Sequence, residues 1–304
     1  MQASDFSFKD NSGLEVHVSK WMPDDTPKAV IQVVHGMQEP GWRYAAFAAD
    51  MTSAGYAVYA PDARGHGKTL VDGLKGKLGK GGWESVLGAT TQMTGIIRQE
   101  LPDLKVFLLG HSWGSFLSQA YIQSFGERID GVVLSGTNGS NPLVGPGLLI
   151  AKLVVACKGA DKKAELLHQL SLGPYNKGLH DTDTGLDWLS RDTGVVRAYF
   201  DDPECGADFP NGFYLEMLRL LKTIWTPAHE RRIPRDLPVY IFAGESDPVG
   251  GRGKGVKALH ERYRKLGLSD LQMKLYPGGR HEMLNEINRD EVISDLRAWL
   301  ESHL

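Results

Sequence analysis

The tightest constraint on the fold is a recurring pattern of short, continuously apolar runs rich in β-branched residues, each followed by a helical stretch. The runs read as strands at 29–34, 56–60, 105–110, 131–135, 238–244 and 271–276. Runs of this length without polar alternation suit parallel strands buried on both faces. Helical patterns fill the gaps at 43–54, 84–101, 115–126, 254–267 and 289–303. Such alternation predicts a doubly wound, mostly parallel sheet with helices on both faces. The N-terminal stretch "DFSFKDNSGLEVHVSKWMP" predicts a hairpin turning at Asn11-Ser12-Gly13, which makes that edge of the sheet antiparallel.

The rhythm stops between about 137 and 236. Loops such as "TNGSNPLVGPG", "GPYNKG" and "DTDTG" occur there with helices and no clear buried strand. One helix, "GFYLEMLRLLKTIW", places Phe213, Met217, Leu220, Leu221 and Ile224 on a single apolar stripe. The expected organisation is therefore a core formed by 1–136 and 237–304, with a helical cap, 137–236, inserted after the sixth strand.

Composition excludes several classes. With 34 basic and 37 acidic residues the formal net charge is -3, which gives no electrostatic reason to expect nucleic acid as a partner. The two cysteines, Cys157 and Cys205, have neither metal-site spacing nor the numbers of a disulfide framework, so reduced thiols are expected. The longest apolar run, around Leu148 to Cys157, is broken by Lys152 and falls short of the roughly 20 residues a bilayer span needs. No basic amphipathic helix is visible, so stable membrane insertion is not expected. The N-terminus shows no signal-peptide pattern, and a cytoplasmic location is the expectation.

Gly67-Lys68-Thr69 resembles the tail of a phosphate-binding loop, but that reading fails. The loop needs glycine five positions before Gly67, and Asp62 stands there with a charge that would repel phosphate. The following "TLVDGLKGKLGKGG" is a poor helix, so no helix N-terminus supports a phosphate.

"GHSWG", Gly110 to Gly114, has a stronger context. It follows the strand "KVFLL" and opens the helix "SFLSQAYIQSF", the strand-turn-helix setting of a nucleophile elbow. The turn is so tight that side chains two positions either side of Ser112 would collide, hence the flanking glycines. A serine nucleophile needs a base and an acid, expected in the chain order Ser, Asp or Glu, His. Asp247 lies in a turn after the strand at 238–244, fixed by Pro248, with Glu245 as its rival. His281 lies in a glycine-rich loop after the strand at 271–276. The candidate catalytic set is Ser112, Asp247 and His281, with the Met37 and Trp113 amides as oxyanion donors. His111, beside the nucleophile, is expected to point to the opposite side in a structural role. His17, His35, His66, His168, His180, His229, His260 and His303 lack the catalytic context, and no metal-ligand spacing appears.

Taken in order, "HGMQEPGWRY", "YAVYAPDARGHGKT", "LLGHSWGS", "AGESDPVGG" and "YPGGRHEMLNE" resemble the α/β-hydrolases of the monoacylglycerol lipase and bacterial lysophospholipase group. The resemblance implies the α/β-hydrolase fold, the same serine, acid, base and oxyanion donors, and a structural role for Asp62 to Gly67. It also implies an ester hydrolase with no metal or organic cofactor, acting on a small lipid or ester such as a monoacylglycerol or lysophospholipid. Where that group often reads H-G-x-G-E-H, this chain has His35-Gly36-Met37-Gln38-Glu39-Pro40. Leu148, Leu149, Ile150, Leu153, Val154, Phe213, Met217 and Leu221 are candidate acyl contacts, and Trp42, Trp83 and Trp113 candidate pocket aromatics. The alternatives are a short-chain carboxylesterase, an aminopeptidase-like serine peptidase holding an amine on Glu39, Asp208 or Glu216, and a hydrolase-fold binding protein without activity.

Overall fold

Continuous apolar runs flanked by helices do form the expected layered sheet. The computed structural model describes residues 1–179 and 182–304; His180 and the first residue of the "DTDTG" loop lie outside the described residues. The elements run β1 (Gln2–Lys9), β2 (Glu15–Met22), β3 (Ala29–Val34), α1 (Ala45–Ser53), β4 (Tyr56–Pro61), α2 (Gly82–Glu100), β5 (Lys105–His111), α3 (Trp113–Phe125) and β6 (Gly131–Ser135). Five helices follow: α4 (Val144–Lys158), α5 (Glu165–Ser171), α6 (Thr193–Asp201), α7 (Asn211–Ile224) and α8 (Pro227–Glu230). The chain closes with β7 (Val239–Gly244), α9 (Lys254–Leu266), β8 (Leu271–Tyr276) and α10 (Arg289–Glu301).

The eight strands form one sheet in the order β1-β2-β4-β3-β5-β6-β7-β8. β1 and β2 pair antiparallel, β2 pairs antiparallel with β4, and the remaining neighbours are parallel. The hairpin turns where expected, with Gly13 at positive φ and its N–H bonded to the Asp10 carbonyl at 2.8 Å. Successive strand residues face opposite cores, as the period of two demands. Val30, Leu108, Leu134 and Ile241 pack with α2, α3 and α9 on one face. Ile31, Phe107, Val133 and Phe242 pack with α1 and α10 on the other. β3 and β5 are adjacent, and the chain leaves their C-terminal ends in opposite directions. That is a switch point, the position where ligands bind in open α/β sheets.

The "DARGHGKT" loop is a scaffold. Both Asp62 oxygens are occupied, one by the Gly41 N–H at 2.7 Å and the other by the Lys68 N–H at 2.8 Å. A Cβ on Gly67 would lie 2.2 Å from Asp62 Oδ2, so this carboxylate fills the space a phosphate would need. Next to it Arg64 is buried, bonded through Nε to Asp10 at 2.8 Å and through Nη1 to the Leu78 carbonyl at 2.9 Å. No helix among the described residues is long and apolar enough to cross a membrane.

Removing one partner of a buried ion pair leaves the other charge uncompensated. Arg64→Ala is therefore expected to destabilise the fold by about 3–5 kcal/mol in denaturant unfolding, well beyond a surface substitution.

Candidate active site

The site begins with a backbone conflict. Ser112, between β5 and α3, sits at φ 52° and ψ −121°, a conformation that L residues rarely hold. The surroundings enforce it. The Ser112 N–H continues the β5–β6 ladder to the Ser135 carbonyl at 2.9 Å, and the Ser115 N–H returns to the Ser112 carbonyl at 2.8 Å. The flanking glycines are required by space. A Cβ on Gly110 would lie 2.3 Å from Ser118 Oγ, and one on Gly114 would lie 2.0 Å from the Val34 carbonyl. Ser112 is consequently pushed out at the start of α3, half-buried, onto the wall of a cavity of about 660 Å³.

Asp247 and His281 meet behind it. His281 Nδ1 lies 3.0 Å from Asp247 Oδ2, and both side chains are buried. The second Asp247 oxygen accepts the Val249 N–H at 2.8 Å, so the carboxylate is fixed by its own Asp-Pro turn. Glu245, the rival acid, is exposed. With Nδ1–H given to Asp247, Nε2 is the nitrogen left for the cavity. The ring packs against Gly136, Trp188 and His111, with ring centroids 5.0 Å and 4.7 Å away for the last two. Burial pulls the His281 pKa down, but Asp247 above all, and Glu282 and Glu39 more weakly, pull it up further, so it ends above its ordinary value. Ser112 and His281 line the same cavity; among the described residues no hydrogen bond joins them. Such bonds are often loose before substrate binds.

Met37 and Trp113 also line the cavity. Trp113 is the first residue of α3, so its N–H has no intrahelical partner. Gly36 lets the Met37 loop approach the elbow, since a Cβ there would lie 3.4 Å from Ser112 Cβ and 2.8 Å from Glu39 Oε1. The Gly36 carbonyl bonds to His35 Nδ1 at 2.7 Å, while His35 Nε2 accepts the Ala63 N–H at 2.8 Å. The two scaffold histidine positions thus differ: His35 holds the Gly36–Met37 loop, and His66 stacks on Trp113 with centroids 5.2 Å apart.

His111 does not point away, as the sequence suggested. It lines the cavity, tilts against His281 and bonds to Ser135 Oγ at 3.2 Å. Burial, reinforced by His281, lowers its pKa to about 4, so it is neutral at pH 7. Glu39, Arg43 and Glu282 form a cluster that motif reading did not anticipate. Arg43 Nη1 bonds to Glu39 at 2.6 Å, and its two Nη groups bond to the two Glu282 oxygens at 3.0 Å each. Glu39 Oε1 also accepts the Gly36 N–H at 2.6 Å and the Tyr44 hydroxyl at 3.1 Å. A single guanidinium thus ties the loop that carries Met37 to the loop that carries His281. An i, i+4 acid–base pair on 39 and 43 was the available signal; the third member, 239 residues beyond Arg43, was not.

The acyl contacts proposed from sequence divide. Ile150, Met217 and Leu221 line the cavity, joined by Leu143, Val144, Leu167, Leu170 and Leu218. Leu149 and Leu153 are exposed, and Phe213 is buried against Trp113 and Phe209. Of the proposed aromatics only Trp113 reaches the cavity. Trp83 is core, and Trp42 is exposed and bonded to Glu204 at 2.7 Å. Trp188 and Trp225 line it instead.

The profile of the Hydrolase_4 family, described as serine aminopeptidase, S33, matches residues 25–288. The chain belongs to that family. It is 30% identical over 305 residues to a monoacylglycerol lipase of Mycolicibacterium smegmatis, covering 99% of this chain and 98% of that one. It is 27% identical to a monoglyceride lipase of Mus musculus, over 92% of this chain and 84% of the relative. Among solved structures, a thermostable carboxyl esterase from Bacillus coagulans in complex with glycerol superposes with a TM-score of 0.92 at 28% identity, covering 99% of both chains. The fold is that of the α/β-hydrolases.

The buried cluster makes a prediction. Burial raises the Glu282 pKa, but Arg43 lowers it more, to about 2 against an ordinary 4.5. A depressed carboxylate stabilises the fold above its unfolded value and loses that contribution as pH falls through its folded value. Wild type should therefore lose stability between about pH 4.5 and 2. Arg43→Met leaves two buried carboxylates unpaired and should cost about 3–5 kcal/mol at pH 7. That deficit should shrink towards pH 4, because without Arg43 burial favours the protonated form of Glu282. Denaturant unfolding at both values measures it, and an unchanged gap would contradict the pairing.

Proposed function

We propose that this chain hydrolyses monoacylglycerols through an acyl-serine intermediate on Ser112, with the insert 137–236 acting as the substrate-selecting cap. The coarser statement, that the chain is a serine ester hydrolase, rests on its family and on the lipase and esterase relatives above. In our reading Ser112 Oγ attacks the ester carbonyl while His281 Nε2 takes its proton. The Met37 and Trp113 amides hold the oxyanion, and Asp247 orients the imidazole and stabilises its cation. Collapse of the tetrahedral intermediate expels glycerol, protonated by His281, and water then releases the fatty acid by the same steps.

The observation that carries the substrate reading is the lining of the cavity. Its apolar part, built from α4, α5 and α7, suits an acyl chain. Around the reacting groups the lining includes Glu39 and Glu282 and, among the described residues, no lysine or arginine. A neutral glycerol headgroup fits that end, whereas the phosphate of a lysophospholipid finds no lysine or arginine among the described lining residues. Arg43 is already committed to two carboxylates. The aminopeptidase reading weakens for a related reason. Glu39 is occupied by Gly36, Arg43 and Tyr44, Asp208 pairs with Lys163, and Glu216 pairs with Arg219. None is free to hold a substrate amine.

Turnover should be compared on 1-monooleoylglycerol, lysophosphatidylcholine, p-nitrophenyl acetate and an aminoacyl p-nitroanilide. The expected result is fastest release from the monoacylglycerol, with Ser112→Ala slower by at least about 1,000-fold. Preference for the acetate would make the chain a short-chain esterase, and anilide turnover would restore the peptidase. Inertness on all four would favour a binding protein.

The pH profile is a separate test. His281 must be neutral to act, so kcat/KM should rise with pH through a value above 6.5, because the neighbouring carboxylates favour its cation. Asp247→Asn should move that limb down as well as slowing the reaction. A limb at or below the ordinary histidine value would count against the assignment.

A further inference from the structure

The insert does more than roof the cavity, because one stretch of it is bonded to the oxyanion loop. Gln38, directly after Met37, lies at φ 63°, a left-handed conformation disfavoured for a residue with a side chain. Three hydrogen bonds hold it there, all from one segment of the insert. The Tyr199 hydroxyl donates to the Gln38 carbonyl at 2.9 Å, and the Gly206 N–H donates to the same oxygen at 3.0 Å. The Gln38 side-chain amide donates to the Ala207 carbonyl at 2.5 Å.

The donors are themselves fixed. Tyr199, near the end of α6, is buried, and its ring lies under the Arg43 guanidinium, 4.6 Å from centroid to charge. Gly206 is at φ 61°, and a Cβ there would stand 3.4 Å from the Tyr199 ring, so glycine suits both the turn and the close approach. We propose that Tyr199 is a positioning residue for the oxyanion hole, holding the Gln38 carbonyl so that the strained loop keeps the Met37 amide aimed at the oxygen of the reacting carbonyl. This rests on the reading above that Met37 is an oxyanion donor.

The geometry makes the clamp two-sided. Upstream of Met37, His35 holds the Gly36 carbonyl, which shares a peptide plane with the Met37 N–H, and Glu39 accepts the Gly36 N–H. Downstream, the hydrogen bonds from the insert to Gln38 itself, together with the bonds that hold Glu39, oppose relaxation of Gln38 to negative φ. Such a rotation turns the peptide between Met37 and Gln38. The consequence is felt when negative charge develops on the substrate oxygen, and little when substrate merely binds.

The test is steady-state hydrolysis of p-nitrophenyl butyrate by wild type, Tyr199→Phe, Gln38→Gly, the double variant and Ser112→Ala. Tyr199→Phe keeps the ring beneath Arg43 and removes one hydroxyl. It should lower kcat about 3- to 10-fold, the value of one hydrogen bond, with KM within about twofold. A trifluoromethyl ketone, which places an oxyanion in the site, should inhibit this variant more weakly by the same factor. Adding Tyr199→Phe to Gln38→Gly should cost less than about twofold, because glycine holds positive φ without a clamp. The proposal is overturned if Tyr199→Phe keeps kcat and ketone affinity. It is equally overturned if the substitution costs the same factor in both backgrounds, or acts on KM alone. Retained activity in Ser112→Ala would instead sink the underlying reading of the site.

Discussion

The end of β3 is pressed so closely against the start of α3 that only glycine fits between them. The backbone at Gly114 lies where an added Cβ would be 2.0 Å from the Val34 carbonyl and 2.5 Å from that of His35. This contact puts the Met37 loop and the Ser112 turn on the wall of one cavity. It follows from two adjacent parallel strands whose connections diverge, so it belongs to the topology as much as to the motif. It also explains why strain gathers here. Ser112 and Gln38 are both non-glycine residues at positive φ, one on each of the two loops brought together.

Strain persists only where the surroundings over-determine it, and the insert supplies part of that restraint. Besides the contacts to Gln38, it holds the loop that carries His281. The His281 and Glu282 N–H groups donate to the Trp188 and Leu189 carbonyls at 3.3 Å and 2.7 Å. Arg280 Nη1 donates to the Asp187 and Ser190 carbonyls. Trp188, Leu189, Val196, Tyr199 and Cys205 form their own small core, so these two attachments come from one packed unit. The segment around residues 187–207 is therefore better described as a wall of the site than as a lid over it. The apolar helices α4 and α5, with Leu149, Leu153, Leu166 and Leu170 exposed, are a different part of the same insert.

Much of this was legible in the sequence because it rests on short-range rules. The parallel strands were recognisable within a residue or so of their bounds, since residues buried on both faces leave an uninterrupted apolar run. Ser112, Asp247 and His281 could be nominated because each lies just beyond a strand end in the expected chain order, and the structure brings all three to one cavity wall or directly behind it. Relations between distant segments were not legible. His111 was misplaced because its side chain points into a space whose other walls come from β6 and the His281 loop. The partnership of Arg43 with Glu282, and that of Tyr199 with Gln38, bridge 239 and 161 residues. No periodicity encodes such distances. The cavity lining was half-read for a related reason: α4 and α5 are apolar on more than one side, and only packing decides which leucines face inward.

The distribution of charge joins these observations. Asp247, Glu282 and Glu39 all act to favour the cationic form of His281, and Arg43 neutralises only part of that field. His111, in contact with the same ring, stays neutral. In the mechanism proposed above, a proton moving from Ser112 to His281 would arrive in surroundings that already favour positive charge. In a cavity with low-dielectric walls that preference acts with little screening. The cost is three carboxylates brought close together in the interior, and Arg43 makes the arrangement tolerable by satisfying two of them at once. Its guanidinium also supports the Tyr199 ring. One side chain thus bears on the charge around His281, the shape of the Met37 loop and the seating of the segment that carries Tyr199. A lysine could not do the same, because a point charge lacks the planar fork needed to reach both carboxylates and the flat face needed to stack.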